Sequence, residues 1–256
     1  MRSTMYMTGA VFVRYRVVAL MTGERVLDHC ERARQREGSK MRVVSVNIGT
    51  EQPIRHGKPS GKTGIYKTPR ADPVRVTRLR SAGDAIVDME NHGGLDQAVY
   101  VFTLPDYAWW SAHIGHPLEP GTFGENLTVS DLESATVGIG DRLRVGEVLL
   151  EVTAPRIHCV TLAARMEAPQ FVKTFRHAEK SGVYCRVIEP GYLGVVDPVA
   201  LLPHDGPIVS AREVFRRFYD KNPSEDDLRR FLAVPIPHKL RLHYEEMLVW
   251  RRDAAV

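Results

Sequence analysis

Short apolar runs separated by turn residues fill most of the chain from Met41 to Leu202. The clearest run, Ala98–Thr103, is continuously apolar apart from its last residue, which predicts a buried strand. Two further runs, Arg142–Val145 and Val148–Val152, flank the dipeptide Gly146-Glu147. Because a two-residue connection with glycine first fits a type II′ turn, this stretch predicts a β-hairpin.

The remaining pattern between residues 41 and 206 is of the same kind, with few helices. Further strands are predicted at Met41–Asn47, Val74–Leu79, Val183–Ile188 and Val195–Leu202. Helices are predicted at Pro105–His113, Val160–Arg165 and Pro169–Lys180. Many short strands with few helices indicate a mainly β fold with some α, built as a closed or nearly closed β-barrel.

After Pro207 the apolar spacing becomes helical. Ser210 and Ser224 each precede an acidic residue by three positions, which is the pattern of a capping box at a helix start. A third helix is predicted over His238–Arg251. Residues 207–256 therefore form a small three-helix module, which either packs on the barrel or reads DNA as a helix-turn-helix. The mixed charges of these helices favour packing on the barrel.

Residues 1–40 differ in composition from the rest of the chain. Glu31–Lys40 is a charged tract with glycine and serine near its end, which is typical of disorder. One interpretation is that Met41 is the natural start and the leader is an upstream extension. The other is an added strand or hairpin, because Val11–Leu20 is rich in β-formers. We favour the first, and so expect a leader, a barrel domain at 41–206 and the helical module.

The formal net charge of +4 comes from this leader. Residues 1–40 carry eight Lys or Arg and four Asp or Glu, which leaves 27 bases and 27 acids in the remainder. A protein that binds a phosphate backbone needs a basic face on its folded part. The charge balance therefore argues against a nucleic-acid partner.

The cysteines and the hydropathy pattern predict a cytoplasmic protein. The chain has three cysteines, Cys30, Cys159 and Cys185, without the spacing of a zinc site or a disulfide framework. The most apolar early stretch, Ala10–Met21, is too short to span a bilayer and is interrupted by two arginines. It lacks a clear signal-peptide cleavage site, so we expect neither a membrane partner nor secretion.

A candidate reactive thiol lies in the pentapeptide from Pro155 to Cys159. The predicted strand ends before it and the predicted helix Val160–Arg165 follows it. A helix N-terminus and the neighbouring Arg156 both favour thiolate, which attacks electrophiles and binds soft metals. The alternative is a buried, inert cysteine.

Three glycine-containing segments are further candidates for a binding site. In His92-Gly93-Gly94 and in Gly124-Glu125-Asn126, glycine allows a backbone to approach a ligand closely. Each is alternatively a plain turn. The basic loop Gly61–Lys67 resembles a phosphate cradle but lacks the spacing of a Walker motif.

Taken in order, these segments resemble the MOSC domain family, named for the C-terminal domain of molybdenum cofactor sulfurase, in its YiiM-like branch. The resemblance covers about Met41 to Trp250 and leaves the leader outside. The segments that carry it are GKTGIYK at 61–67, Gly83-Asp84, HGGLDQAVY at 92–100, Tyr107 with Trp109-Trp110, PGTFGENL at 120–127, IGDRLRVGE at 139–147 and PRIHC at 155–159.

The resemblance implies a MOSC-type β-barrel that binds the molybdenum cofactor, a pterin-dithiolene with a terminal phosphate. It implies that Cys159 is the protein ligand of molybdenum and that Arg156 orients its loop or faces the oxo group. Residues implied at the phosphate or pterin edge are Lys62, Thr63 and Lys67. Residues implied around the pterin are His92, Gly93, Gly94, Asp96, Gln97, Gly124, Glu125 and Asn126. The chain departs from the family at His158, where proline or serine is common; a proton donor and a solvent-facing residue are both open.

The function implied is the reduction of N-hydroxylated compounds, such as hydroxylaminopurines, to amines, with Cys159 and Arg156 as catalytic residues. Because no nucleotide or iron–sulfur motif is visible, electrons are expected from a separate flavin or NAD(P)H-dependent reductase. One alternative is a carrier of the cofactor or of a persulfide, without turnover. Another is a nucleic-acid module built on the C-terminal helices. The sequence leaves the oligomeric state open.

Overall fold

The structure is a computed structural model that describes residues 41–54, 61–88, 92–220 and 222–254. The interpretation of residues 1–40 as a disordered leader or an upstream extension lies outside the described residues.

Twelve strands lie in the described part of the chain. They are β1 Val43–Gly49, β2 Gln52–Pro53, β3 Lys62–Thr63, β4 Lys67–Pro69, β5 Val74–Val76, β6 Val99–Thr103, β7 Leu127–Val129, β8 Arg142–Val145, β9 Val148–Pro155, β10 Val183–Glu189, β11 Gly191–Leu193 and β12 Val199–Leu202. Eight form one sheet in the order β12-β8-β9-β10-β6-β7-β1-β4, in which β6 and β7 are parallel and the other neighbours antiparallel. The pairs β5–β11 and β2–β3 form two small antiparallel sheets.

The mainly β class with added helices is confirmed, and of the two expected forms, a closed and a nearly closed barrel, the closed one is excluded. The eight-stranded sheet ends at β12 and β4, which do not pair. An isolated bridge between Arg42 and Pro198 joins the start of β1 to the residues before β12. Backbone bonds from Val43 to Asp197 and from Val199 to Met41, of 2.9 and 2.8 Å, flank this bridge. Because Pro198 has no N–H to donate, it cannot act as a donor in a regular ladder at this bridge.

The strands follow the hydrophobic pattern closely. All five residues of β6 are buried, as its apolar run predicts, and all eight of β9 are buried although they include Glu151 and Thr153. The hairpin between β8 and β9 is confirmed, and Gly146 has the positive φ, +52°, that such turns require. The predicted strand Val74–Leu79 ends early, because the hydroxyl of Thr77 accepts from the backbone N–H of Arg80 and turns the chain.

Six α-helices lie in the described residues: α1 Leu104–Ile114, α2 Val160–Arg165, α3 Phe171–Ala178, α4 Ala211–Phe218, α5 Glu225–Leu232 and α6 His238–Ala254. Both predicted capping boxes are present, with Ser210 bonded to Glu213 and Ser224 to Asp227. Among the described residues, we find no helix with the length and apolar character needed to cross a membrane.

Two hydrophobic clusters hold these elements together. The larger fills the inner face of the sheet and continues into the C-terminal helices through residues such as Val214, Leu228 and Tyr244. The smaller is largely aromatic, and Trp110 and Phe123 stand at its centre with no exposed surface. The smaller cluster also contains Tyr100 and Tyr184, which line the cleft described next.

Candidate functional site

A cleft of about 640 Å³, counted out to its open mouth, lies where the ends of several strands and loops converge. Ten of the thirteen predicted site residues line it. They are Lys62, Thr63, Lys67, His92, Gly93, Gln97, Gly124, Asn126, Arg156 and Cys159. The remaining three, Gly94, Asp96 and Glu125, lie outside the lining.

Cys159 is the half-buried thiol of this cleft and precedes the first residue of α2. Its sulfur lies 3.7 Å from Nη2 of Arg156. Burial would raise the pKa of Cys159, but a hydrogen bond from His92 and the charge of Arg156 outweigh burial and lower this pKa to about 5. A pKa lowered in this way favours the thiolate at neutral pH, which argues against an inert buried cysteine.

We expect alkylation of Cys159 by iodoacetamide to depend on pH with a midpoint near 5, against about 8.5 for an ordinary thiol. Because the pKa is depressed, the thiolate is present above that midpoint and is lost as the pH falls through it. The measurement is the rate of labelling at each pH, followed by peptide mass spectrometry. Cys185 is the internal control, since complete burial raises the pKa of this thiol and excludes the reagent. A midpoint for Cys159 near 8 would contradict the geometry.

Arg156 supplies a fixed positive charge below the thiol. Its side chain is 4% exposed, Nη1 donates to the carbonyl of Phe123 at 2.7 Å, and its guanidinium lies 4.9 Å from the centre of the Tyr100 ring. Its Nε is buried and has no hydrogen-bond acceptor among the described residues. A cation held this rigidly beside a thiol favours the thiolate both before and after a ligand binds, because the guanidinium does not have to move.

Three site glycines are required by contacts between the walls of the cleft. A Cβ on Gly64 would stand 2.0 Å from the carbonyl oxygen of Ala85, and one on Gly124 would stand 2.7 Å from Ile65. A Cβ on Gly93 would meet the side chain of Ile86 at 2.8 Å. Gly93 and Gly124 also have positive φ, which other residues adopt at a cost. These glycines therefore allow the walls to pack closely.

One wall of the cleft contains a buried polar network centred on Asp84. Its carboxylate pairs with the ammonium of Lys67 at 2.5 Å and accepts from Asn126 Nδ2 and the backbone of Gly49 at 2.9 Å. The side-chain oxygen of Asn126 in turn accepts from the backbone N–H of Tyr100 at 3.1 Å. Lys67 and Asn126 thus hold the wall together. Lys62 lies at the cleft with a side chain that is 59% exposed, 2.6 Å from Glu51.

Two predicted carboxylates point away from the cleft. Asp96 forms an ion pair with Arg186 at 2.7 Å and accepts from the backbone N–H of His238, at the start of α6, at 2.7 Å. Glu125 has no exposed surface, and its Oε1 accepts from Tyr107 and Gly121 at 2.6 Å. Burial raises the pKa of Glu125. Both residues lie in motifs whose neighbouring residues line the cleft, but their own carboxylates form contacts outside it.

Eleven lining residues lie outside the predicted set, and those with polar side chains include Asp84, Tyr100, Thr161 and Tyr184. The two tyrosines lie in apolar runs that predict buried strands, so they read as core. Yet Tyr184 places its hydroxyl 3.4 Å from Nδ1 of His92. Asp84 and Tyr100 carried a usable signal, because each lies in a segment of the family resemblance, Gly83-Asp84 and residues 92–100.

Comparison with known proteins places these residues in a family. The model of the MOSC domain matches residues 88–200, which include His92, Arg156 and Cys159. YflK of Bacillus subtilis is 37% identical over 149 residues, which are 58% of this chain and 67% of that protein. YiiM of Escherichia coli is 30% identical over 162 residues, which are 62% of this chain and 71% of that protein. The chain belongs to the MOSC domain family.

A solved structure and a fungal relative extend the comparison for this MOSC domain protein. The crystal structure of YiiM from Geobacillus stearothermophilus matches with a TM-score of 0.67 and 25% identity, covering 80% of this chain and 98% of that one. A protein of Gibberella moniliformis named "Reductase" is 31% identical over 180 residues. Those residues are 68% of this chain and only 32% of the fungal protein.

MOSC domains are associated with the molybdenum cofactor, and the cleft offers donors suited to such a group. The thiolate of Cys159 is the soft ligand type that suits a metal held by other sulfurs. Three buried polar atoms of lining residues, Arg156 Nε, Gln97 Oε1 and Thr161 Oγ1, have no hydrogen-bond partner among the described residues. Since buried polar groups are normally paired, these atoms indicate room for a polar ligand. The residues present therefore fit this cofactor.

Proposed function

We propose that the protein is a molybdenum-cofactor-dependent oxidoreductase that reduces N-hydroxylated compounds, such as hydroxylaminopurines, to amines. The observation that carries this proposal is the thiolate of Cys159, 3.7 Å from Arg156 in an open cleft of a MOSC domain. The fungal relative named "Reductase" supports the class of reaction.

In this proposal, each residue of the chain has a limited role. Cys159 is the protein ligand of the metal, and Arg156 keeps it deprotonated. Lys62 and Thr63 lie at the cleft where the resemblance implies the phosphate or pterin edge, and Gln97 offers an amide to pterin hydrogen bonds. When bound, the cofactor supplies the two-electron chemistry that removes oxygen from nitrogen.

The overall reaction consumes two electrons and two protons for each N–O bond broken, and releases the amine and water. We propose that the electrons come from a separate flavin or NAD(P)H-dependent reductase, as the sequence predicts.

A carrier of cofactor or persulfide is the second candidate. The low pKa of Cys159, about 5, favours this carrier as much as it favours the reductase. A nucleophilic thiolate is what a persulfide carrier requires. The two functions differ in turnover: the carrier binds its cargo and releases it unchanged, whereas the reductase consumes an N-hydroxylated substrate.

The test is expression in a host that makes the cofactor, followed by elemental analysis for molybdenum, pterin fluorescence and an assay with 6-N-hydroxylaminopurine and a chemical reductant. We expect about one molybdenum and one pterin per chain, with conversion to adenine. Protein that binds cofactor without turnover would favour the carrier. Protein that binds neither molybdenum nor pterin would contradict the reductase and the cofactor carrier and would leave the persulfide carrier.

A further inference from the structure

The loop that carries Cys159 is anchored firmly at its two ends and weakly between them. At one end, the backbone N–H of Arg156 donates to Gly182 at 3.4 Å and its side chain to Phe123 at 2.7 Å. At the other end, the carbonyl of Cys159 accepts from the first turn of α2. The intervening N–H groups of Ile157 and His158 donate to no other described residue. Side chains must therefore fix the middle of the loop.

His158 provides this fixing contact by pointing away from the cleft. Its ring is not part of the lining and lies parallel to the ring of Tyr219, with an interplanar angle of 4° and centroids 5.6 Å apart. Nδ1 of His158 is hydrogen-bonded to the Tyr219 hydroxyl. The sequence left two roles open for His158, a proton donor near the metal and a solvent-facing residue. In the structure the ring instead contacts Tyr219.

Tyr219 is itself held rigidly. It ends α4, and its backbone N–H donates to Arg216 at 3.1 Å. Its ring packs edge-on against Phe215, which is 1% exposed, with centroids 5.4 Å apart. The guanidinium of Arg176 lies 4.1 Å from the ring centre, as in a cation–π contact. The Tyr219 hydroxyl is therefore a rigid hydrogen-bonding partner for His158 in the loop that carries Cys159.

We infer that Tyr219 is a positioning residue that acts through His158 to hold Cys159 beside Arg156. The C-terminal helices are then part of the construction of the site, although none of their residues lines the cleft among the described residues. The inference rests on Cys159 being the working group of the proposed function. Its physical basis is geometric: His158 and Cys159 are adjacent on the loop, so a hydrogen bond that fixes the His158 ring also restricts where the Cys159 sulfur lies relative to Arg156.

Asp96 supports the same inference from a second loop. Its carboxylate accepts from the backbone N–H of His238, at the first turn of α6, while the next residue, Gln97, lines the cleft. The C-terminal helices therefore contact two of the segments that carry candidate ligand-binding groups, the Cys159 loop and the His92–Gln97 segment.

The test is Tyr219→Phe, which keeps the ring contacts with Phe215 and Arg176 and removes only the hydroxyl. The measurement is the rate of Cys159 alkylation by iodoacetamide at pH 5.5 in cofactor-free protein, together with Tm. We expect labelling to slow about two- to ten-fold, which corresponds to the loss of one hydrogen bond. Tm should fall by no more than about 6 °C, because packing is conserved and only one hydrogen bond is lost.

His158→Ala should slow labelling at least as much, and the double variant no further, because both changes break one interaction. The matched control is Tyr244→Phe, which removes a hydroxyl from α6, where the ring packs against Phe231 at 6.1 Å; its labelling rate should not change. Wild-type labelling in Tyr219→Phe, or equal slowing in Tyr244→Phe, would overturn the inference. The alkylation assay needs neither molybdenum nor substrate. Its result can therefore be interpreted even if the protein proves not to be a reductase.

Discussion

Replacing Cys159 with serine is expected to abolish the reduction of an N-hydroxylated purine while the protein stays folded. The swap is nearly isosteric at a half-buried position, so little packing is lost. A neutral hydroxyl, however, cannot replace a soft thiolate as a metal ligand. The measurements are turnover with a chemical reductant, molybdenum and pterin content, and Tm. Some pterin should be retained, because the other lining residues do not depend on the sulfur.

Cys185→Ala is the control for this experiment. Cys185 is fully buried in β10 and lines no part of the cleft, so the variant should keep its activity despite a modest loss of stability. Near wild-type turnover in Cys159→Ser would remove this residue from the chemistry. Loss of turnover in Cys185→Ala at unchanged cofactor content would point to the wrong thiol having been chosen.

Lys67→Met is expected to lower the free energy of unfolding by about 3–5 kcal/mol, because it leaves a buried carboxylate without its counter-charge. Lys67 and Asp84 are 8% and 3% exposed at their side chains. Methionine fills a similar volume, so the loss should come from the charge and not from a cavity. Urea unfolding at pH 7 measures the effect.

The matched variant is Lys62→Met, since both lysines lie on the same loop. Lys62 is 59% exposed and pairs with Glu51 at the surface, and such pairs contribute about 0–1 kcal/mol. We therefore expect its unfolding free energy to stay near the wild-type value. Equal losses in the two variants would show that the pairing with Asp84 does not stabilise the fold.

The elements of this fold were largely predictable because local chemistry determines them. Ala98–Thr103 is a strand because an apolar run of that length has to be buried on both faces. Ser210 and Ser224 begin helices because each pairs with an acidic residue three positions later. The motifs also brought Cys159 and His92 to one cleft, although 66 residues separate them in the sequence.

What the sequence could not predict depends on partners that are distant along the chain. Lys67 looked like a phosphate ligand because its partner, Asp84, is not adjacent in the sequence. Asp96 looked like a cleft residue because its motif fixes its position but not the direction of its carboxylate, which the N-terminus of α6 attracts. The contact between the start of β1 and the residues before β12 was not predictable either, because Arg42 and Pro198 are far apart in the sequence and no local pattern marks their bridge.

The hydrophobic core shared by the sheet and the C-terminal helices determines what a cut between them would do. Leu150 of β9 and Leu228 of α5 belong to the same buried cluster, and α4 contacts β9 directly. Separating the two parts would expose apolar surface on each, at about 25 cal/mol for every Å². A proteolytic nick in the exposed connection at residues 203–208 would therefore leave two fragments that stay associated and that denature in a single transition.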